Sequence, residues 1–206
     1  MEHNDCLFCQ LPATRIVYQN KVFTLSLCLG PIVIGHVLII SKIHTSSFSN
    51  TILENQMVFR EFRDQVKNYY TSLFGDCLLF EHGNHSPNKF SIHSHAHLHI
   101  IPLPTKSNIS YLLKQYNASV RYSDYSTETT AWIHDREYLY YESLVDEPRF
   151  YIFPDWPQKY FARHLVTIAS EEPGLFVDWE TDPREDVMLQ TAKILRSFKR
   201  GFHGKA

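Results

Sequence analysis

Apolar and polar positions alternate early in the chain and then change period. Over 15–27 the alternation is strand-like, broken at Gln19-Asn20-Lys21, and a further strand over 36–40 follows Leu29-Gly30-Pro31, so a β-meander is expected. Between 52 and 74 the apolar residues Leu53, Met57, Phe59, Phe62, Val66, Tyr69, Tyr70 and Leu73 recur near helical spacing, with Arg60, Arg63, Asp64 and Lys67 between them. That pattern predicts one long amphipathic helix. Strands follow over 77–82 and 94–101, closed by Pro102-Leu103-Pro104 because proline cannot continue a central ladder. Further on, the pattern predicts a short helix over 109–116, a polar loop over 123–130, and strands over 138–143 and 149–153. Helices are expected over 158–170, opened by Pro157, and over 184–199, opened by Asp182-Pro183, with Pro173-Gly174 between them. No repeat, low-complexity tract or flexible linker interrupts the chain, so the second half is expected to pack on the first.

The strand over 94–101 carries the densest chemistry. His93, His95, His97 and His99 alternate with Ser94, Ala96, Leu98 and Ile100, so a strand places the imidazoles on one face and Ala96, Leu98 and Ile100 on the other. Histidine fills a hydrophobic face poorly, and here it avoids that face. A buried apolar side backed by a row of imidazoles reads as a reactive site.

His95-Ala96-His97-Leu98-His99-Ile100-Ile101 resembles the histidine triad motif, His-Φ-His-Φ-His-Φ-Φ, of the HIT family of nucleotide hydrolases and nucleotidyl transferases. Upstream segments agree with it. Cys6-Leu7-Phe8-Cys9 resembles the Cys-x-x-Cys of the zinc-containing branch. Gly35-His36-Val37-Leu38-Ile39-Ile40-Ser41-Lys42-Ile43-His44 is similar to the family's Gly-His-x-Leu-Val-Ile-Pro-Lys-x-His segment, with Ser41 in place of proline. Phe80-Glu81-His82-Gly83 lies where the family has a strand ending in a glycine turn. A weaker likeness, Gln158-Lys159-Tyr160-Phe161-Ala162-Arg163, matches a Gln-x-x-x-x-Arg pattern of HIT-like proteins with a C-terminal continuation.

The resemblance implies an α+β HIT-like fold, an antiparallel sheet packed against a long helix, with a catalytic core over 1–105 and an ordered C-terminal α/β extension over 106–206. It makes His97 the nucleophile, His99 a donor to phosphate oxygens or the leaving group, and His36 a residue that orients from behind. It also implies structural zinc on Cys6, Cys9, His44 and His95, and a homodimer. Cys-x-x-Cys alone leaves a metal-free reduced pair open; the concurrence with His44 and His95 favours zinc. No catalytic metal is expected, because histidines and backbone amides can receive the developing phosphate charge.

Bulk properties narrow the partners. The 206 residues are 44% hydrophobic, enough for a core without staples, and carry a net charge of -2 with a pI near 6.6. That balance gives no global attraction to nucleic acid or anionic membrane, so phosphate recognition must be local. No apolar run approaches a membrane span and the N-terminus lacks signal-peptide regions, so the chain reads as cytoplasmic. Cys28 and Cys77 read as small buried hydrophobes.

Some positions depart from the family. An acidic residue or asparagine commonly holds the ribose hydroxyls where this chain has Cys28, and a thiol binds a diol weakly. Glu81, a candidate substrate-binding residue, stands in place of asparagine near the expected phosphate, and either faces away, pairs with a base such as His82 or Lys89, or signals a different substrate. Ser94 faces the wrong side of a regular strand, which leaves Ser91 as the serine expected at the leaving group. Gln158 and Arg163 could reach a phosphate, but as polar residues on a helix surface they are expected to face water. The most consistent function is hydrolysis or nucleotidyl transfer at phosphorus through a phosphohistidine on His97, acting on a nucleotide, dinucleotide polyphosphate or nucleoside phosphoramidate. The alternatives are a biosynthetic phosphohydrolase or transferase acting on a modified nucleotide or other phosphate ester, favoured by Cys28 and Glu81, and a non-catalytic nucleotide or phosphate sensor.

Overall fold

The computed structural model describes residues 6–84, 95–103, 109–143, 147–171, 174, 176 and 178–198. The meander forms as expected: β1 (Ile16–Gln19), β2 (Phe23–Leu27) and β3 (Val37–Ser41), with the first turn closed by the Asn20 side chain accepting from the amides of Val22 and Phe23 at 2.8 and 2.7 Å. The helix α1 (Phe48–Phe74) begins earlier than its apolar periodicity suggested and is kinked at Asn55. It ends at Gly75, whose φ of 82° lies in the region that glycine tolerates best. Then come β4 (Leu78–Gly83) and β5 (His97–Ile101), the short helix α2 (Ile109–Leu113), β6 (Ser119–Tyr122), α3 (Thr127–Ile133), β7 (Tyr138–Glu142), β8 (Arg149–Ile152), α4 (Phe161–Ala169) and α5 (Glu185–Ile194).

Two of these differ from the sequence reading. The stretch over 123–130 is not a polar loop throughout: Ser126 accepts from the Thr129 amide and caps α3, whose Thr129, Thr130 and Ile133 are buried. The strand β6 was missed because Ser119–Tyr122 is only four residues long and largely exposed on both faces.

All eight strands join one antiparallel sheet in the order β1-β2-β3-β5-β4-β7-β8-β6. The expected α+β class therefore holds, with the long helix on the sheet and regular elements in the second half. The strand β7 pairs with β4 from Leu79↔Glu142 to Gly83↔Tyr138, so the outer edge of β4 is filled by the same chain. Each face of the sheet has its own core. Leu25, Ile39, Leu98, Ile100, Leu79 and Tyr140 pack with Phe59, Phe62 and Val66 of α1. Phe80, Ile101, Tyr141 and Tyr151 pack on the other side with Phe161, Leu165 and Val166 of α4. Burying a Leu or Ile side chain contributes about 1.5–3 kcal/mol, so Leu98 and Ile100 anchor β5 and its odd-numbered histidines must face the other way.

Candidate functional site

His93 lies outside the described residues, and His95, His97 and His99 fall as the alternation requires. Ala96, Leu98 and Ile100 enter the core under α1, while His97 and His99 line a cavity of about 150 Å3 on the opposite face. Its wall combines Phe8 and Arg15 of the N-terminal segment, Cys28, and Trp156, Arg163 and Trp179 of the second half.

A chain of hydrogen bonds fixes the imidazole tautomers. The Ile32 amide can only donate, and it does so to His36 Nδ1 at 3.0 Å. His36 is fully buried, and desolvation first, then the Arg163 and His97 charges, hold its pKa well below the usual value, so it is neutral. Its proton therefore sits on Nε2 and is donated to His99 Nδ1 at 2.8 Å. That assignment puts the His99 proton on Nε2, leaving this ring a donor. His97 has the opposite polarity: its Nδ1 lies 2.7 Å from the His95 carbonyl, which can only accept, so Nδ1 carries the proton and Nε2 the lone pair. One nucleophilic nitrogen and one N–H donor thus sit on rings whose centroids are 5.0 Å apart. Phe8 packs on the His97 ring at 4.8 Å and Phe80 stacks on His99 at 4.1 Å, holding both planes.

The residues expected to bind metal also converge. Cys6, Cys9, His44 and His95 each offer one ligand atom, and all four atoms lie within 4.8 Å of one another. The amides of Cys9 and Gln10 donate to the Cys6 carbonyl, forming the turn that brings the two sulfurs together. Cys6 Sγ is 3.4 Å from His95 Nδ1, and Cys9 Sγ is 3.1 Å from His44 Nδ1 and 3.6 Å from His95 Nδ1. Tetrahedral zinc with bonds of about 2.3 Å to sulfur and 2.0–2.1 Å to nitrogen spaces such atoms about 3.6 Å apart, so the donor set fits. His95 Nε2 donates to the Ser41 carbonyl at 2.7 Å, which leaves the lone pair on Nδ1, the nitrogen facing the sulfurs. Desolvation, and then Cys6 beside it, push the Cys9 thiol up to about 11, a cost that a dication would remove. A second group, Cys28, His36 and His99, also brings three ligand atoms within 4.8 Å, but there a proton is shared between His36 and His99 and two arginines lie beside the thiol.

Glu81 needs correction. It was expected at the substrate, but it faces the α1 side, fully buried, where it accepts from the Phe48 amide and from the hydroxyls of Tyr125 and Tyr138. The physical reason is parity: Phe80 and His82 line the cavity, so the residue between them must point away. Ser91 lies outside the described residues. His82 stacks on Trp156 at 3.5 Å and shares a hydrogen bond with Glu137 at 2.8 Å; burial, then His97, lowers its pKa.

Sequence reasoning missed the clamp on the segment over 28–36. The Gly30 amide donates to Pro183 O at 2.9 Å, and the Gly35 amide to Thr191 Oγ1 at 2.8 Å. Arg184 donates to Pro31 O at 3.1 Å and Ile32 O at 2.8 Å, and Arg163 donates to Gly30 O. Arg163, expected in water, is buried beside Cys28. Nothing in the local pattern of these residues marks what they bond to, because their partners lie more than a hundred positions away.

A family model described as "Protein similar to CwfJ C-terminal" matches residues 1–116 of the 206. The chain belongs to that family. In this CwfJ C-terminal-like chain the match spans both the Cys/His cluster and the histidine row, and most of the clamp lies beyond it. Among solved structures, a Hit-like protein involved in cell-cycle regulation from Bartonella henselae is 17% identical, covering 52% of this chain and 86% of its own, with a TM-score of 0.38. A hypothetical histidine triad nucleotide-binding protein from Sulfolobus tokodaii is 17% identical, covering 97% of this chain and 98% of its own, also with a TM-score of 0.38. No curated protein matches the CwfJ C-terminal-like chain.

Proposed function

We propose that the protein is a hydrolase or nucleotidyl transferase that works at a phosphorus centre through a covalent intermediate on His97. One observation carries this reading: the two neighbouring histidines have opposite, fixed polarity, His97 presenting a lone pair on Nε2 and His99 an N–H on Nε2. A binding site for phosphate has use for two donors; a nucleophile beside a donor suits displacement.

The step balances simply. His97 Nε2 forms a bond to phosphorus, the bond from phosphorus to the leaving group breaks, and its electron pair departs with that group, while His99 Nε2–H donates to the oxygens that gather charge. Water or another acceptor then attacks phosphorus on the opposite side, the N–P bond breaks, its electron pair returns to Nε2, and the acceptor's proton passes to solvent. His36 acts behind His99 by holding its Nδ1 as an acceptor. Nucleotides, dinucleotide polyphosphates and nucleoside phosphoramidates are the substrate class proposed.

Cys6, Cys9, His44 and His95 would hold structural zinc, which would supply rigidity to the segment carrying the His95 carbonyl. The chain's own part is to place that carbonyl on His97 Nδ1. Any second copy adding to the sheet would have to use β1 or β6, the outer strands, since β4 is already paired. Among the described residues no helix is long and apolar enough to cross a membrane.

The test is turnover of that substrate panel by the intact chain beside His97→Ala, His99→Gln and His36→Gln. Loss of activity in His97→Ala, with a fall of about 10²–10³ in His99→Gln, supports the reading. Equal activity in His97→Ala and the parent protein overturns it.

A further inference from the structure

The imidazoles of the site bring donors and a lone pair but no net charge. His36 is held neutral, it passes a neutral tautomer to His99, and His97 must keep its lone pair to attack. A phosphoryl group entering the cavity is an anion leaving water, and its oxygens gather more charge as a nucleophile attacks, so a fixed cation at that point stabilises the reaction most. Among the described residues of the cavity wall the cations are Arg15 and Arg163; the carboxylate there, Glu180, is paired with Lys159 at 2.9 Å.

Arg163 stands at the reacting centre. It reaches the Cys28 thiol with a side-chain hydrogen bond, and that sulfur lies within 4.8 Å of ring nitrogens of His36 and His99. His99 is bonded to His36 at 2.8 Å, and its ring centroid is 5.0 Å from that of His97. The guanidinium is only 6% exposed and, among the described residues, has no carboxylate partner. Its Nη2 donates to the Gly30 carbonyl, its buried Nε has no acceptor, and its Nη1 has no carbonyl or carboxylate acceptor among the described residues. A buried cation left in that state is costly until an anion completes it. Arg15 differs, since it commits Nε and Nη2 to the Leu27 carbonyl at 3.3 and 3.0 Å and adds its charge from beside Cys28.

From this we infer that Arg163 is a catalytic residue supplied by the second half of the chain: it binds the phosphoryl group that His97 attacks, donating from Nη1 to a non-bridging oxygen beside the His99 donor. The inference rests on reading His97 as the nucleophile. No proton moves at Arg163; the bonds made and broken are those between phosphorus, His97 Nε2 and the leaving group, and the guanidinium offsets the charge that the oxygens gain. The helix α4 packs Phe161, Leu165 and Val166 against Phe80 and Ile101, which fixes Arg163 on the sheet face that carries His99. The family match ends at residue 116, so the matched segment alone lacks this group and makes an incomplete active centre.

The test compares the intact chain with Arg163→Gln, which can still donate to the Gly30 carbonyl, and Arg163→Ala, which leaves room for a free guanidinium ion; either variant suffices should the other fail to fold. Rapid-quench adduct formation at saturating dinucleotide polyphosphate is expected to slow about 10²-fold or more in both, as for loss of an oxyanion donor. Millimolar guanidinium should return about 10-fold of that loss to Arg163→Ala and none to His99→Gln, whereas an arginine that only braces the Gly30 segment would not be rescued. The second readout is inorganic phosphate, which needs neither nucleotide recognition nor turnover. Trp156 and Trp179 in the cavity wall report its binding by fluorescence, checked by calorimetry. Its Kd should rise at least ~10-fold in Arg163→Gln, as loss of a hydrogen bond from a charged donor requires. A glutamine variant at the parent rate, an alanine variant that guanidinium does not rescue, or equal phosphate affinity in the parent and glutamine proteins overturns the inference. No adduct on the parent chain, with phosphate binding that still depends on Arg163, overturns covalent chemistry at His97 and supports Arg163 as the phosphoryl-binding group.

Discussion

Arg184→Met should weaken catalysis from outside the cavity. Its guanidinium donates from one nitrogen, Nη1, to the carbonyls of Pro31 and Ile32, and the Ile32 amide in turn sets the tautomer of His36. A hydrogen bond from a charged donor contributes about 1.5–3 kcal/mol; the two bonds share one nitrogen at a half-buried site, so together they count as roughly one, about 2 kcal/mol. The segment would not detach, because Gly30 and Gly35 remain bonded to Pro183 and Thr191. What loosens is the Ile32 amide on His36 Nδ1, so the His99 ring is less often held as a donor. If about 1.4 kcal/mol of that loss reaches the transition state, the rate of phosphohistidine formation falls about 10-fold. The assay is rapid-quench adduct formation at saturating substrate, with urea unfolding measured in parallel, and Arg184→Lys should restore part of the rate. A variant that loses about 2 kcal/mol of stability yet forms the adduct at the parent rate would refute the positioning argument.

Glu81 gives a pH prediction. Desolvation raises its pKa from 4.5 to about 7 in the folded chain, against the lowering effect of Tyr125, Tyr138 and the Phe48 amide. A raised folded pKa means its contribution is fully present below pH 4.5 and is lost as the pH climbs to about 7, a fall of about 3 kcal/mol by linkage. Glu81→Gln should flatten that slope in urea titrations; an unchanged slope would assign it to other groups. Gly30→Ala should destabilise by more than the roughly 1–2 kcal/mol of a left-handed residue, since φ is +59° and the new methyl would meet Trp179; a thermal midpoint equal to the parent's would contradict this. Cys9→Ser, or dialysis against a zinc chelator, should lower the melting temperature and slow adduct formation together, because the His95 carbonyl that orients His97 would lose its anchor. Metal analysis showing about one zinc per chain before dialysis is part of that expectation.

The sequence made the elements nearest the histidine row legible, since period-2 alternation in β2 and β5 and helical spacing in α1 follow directly from which face is buried, and the apolar run of β3 from burial on both faces. The tetrad of Cys6, Cys9, His44 and His95 was likewise readable from residue type and resemblance, and the structure gathers it. Two kinds of feature were not. Glu81 was misplaced because resemblance put it near phosphate while strand parity turned it under α1, where two tyrosines from the second half meet it. The burial of Arg163 and the part played by Arg184 were invisible because a helix-surface arginine and a buried one look alike until the partner segment is known; both are defined by the carbonyls of Gly30, Pro31 and Ile32. A glycine beside a proline at 30–31 read as a turn, which is correct, but its closeness to Trp179 and Pro183 is a tertiary fact.

Covalent chemistry at His97 is tested most directly by intact-protein mass spectrometry after brief exposure to mononucleotides, dinucleotide polyphosphates and nucleoside phosphoramidates, with His97→Ala alongside and acid-labile peptides mapped to the 95–101 strand. The account predicts a nucleotidyl or phosphoryl mass on the parent chain, located on His97 and absent from the variant. An adduct of the same mass on His97→Ala, or turnover of any of these compounds by that variant at the parent rate, would contradict it.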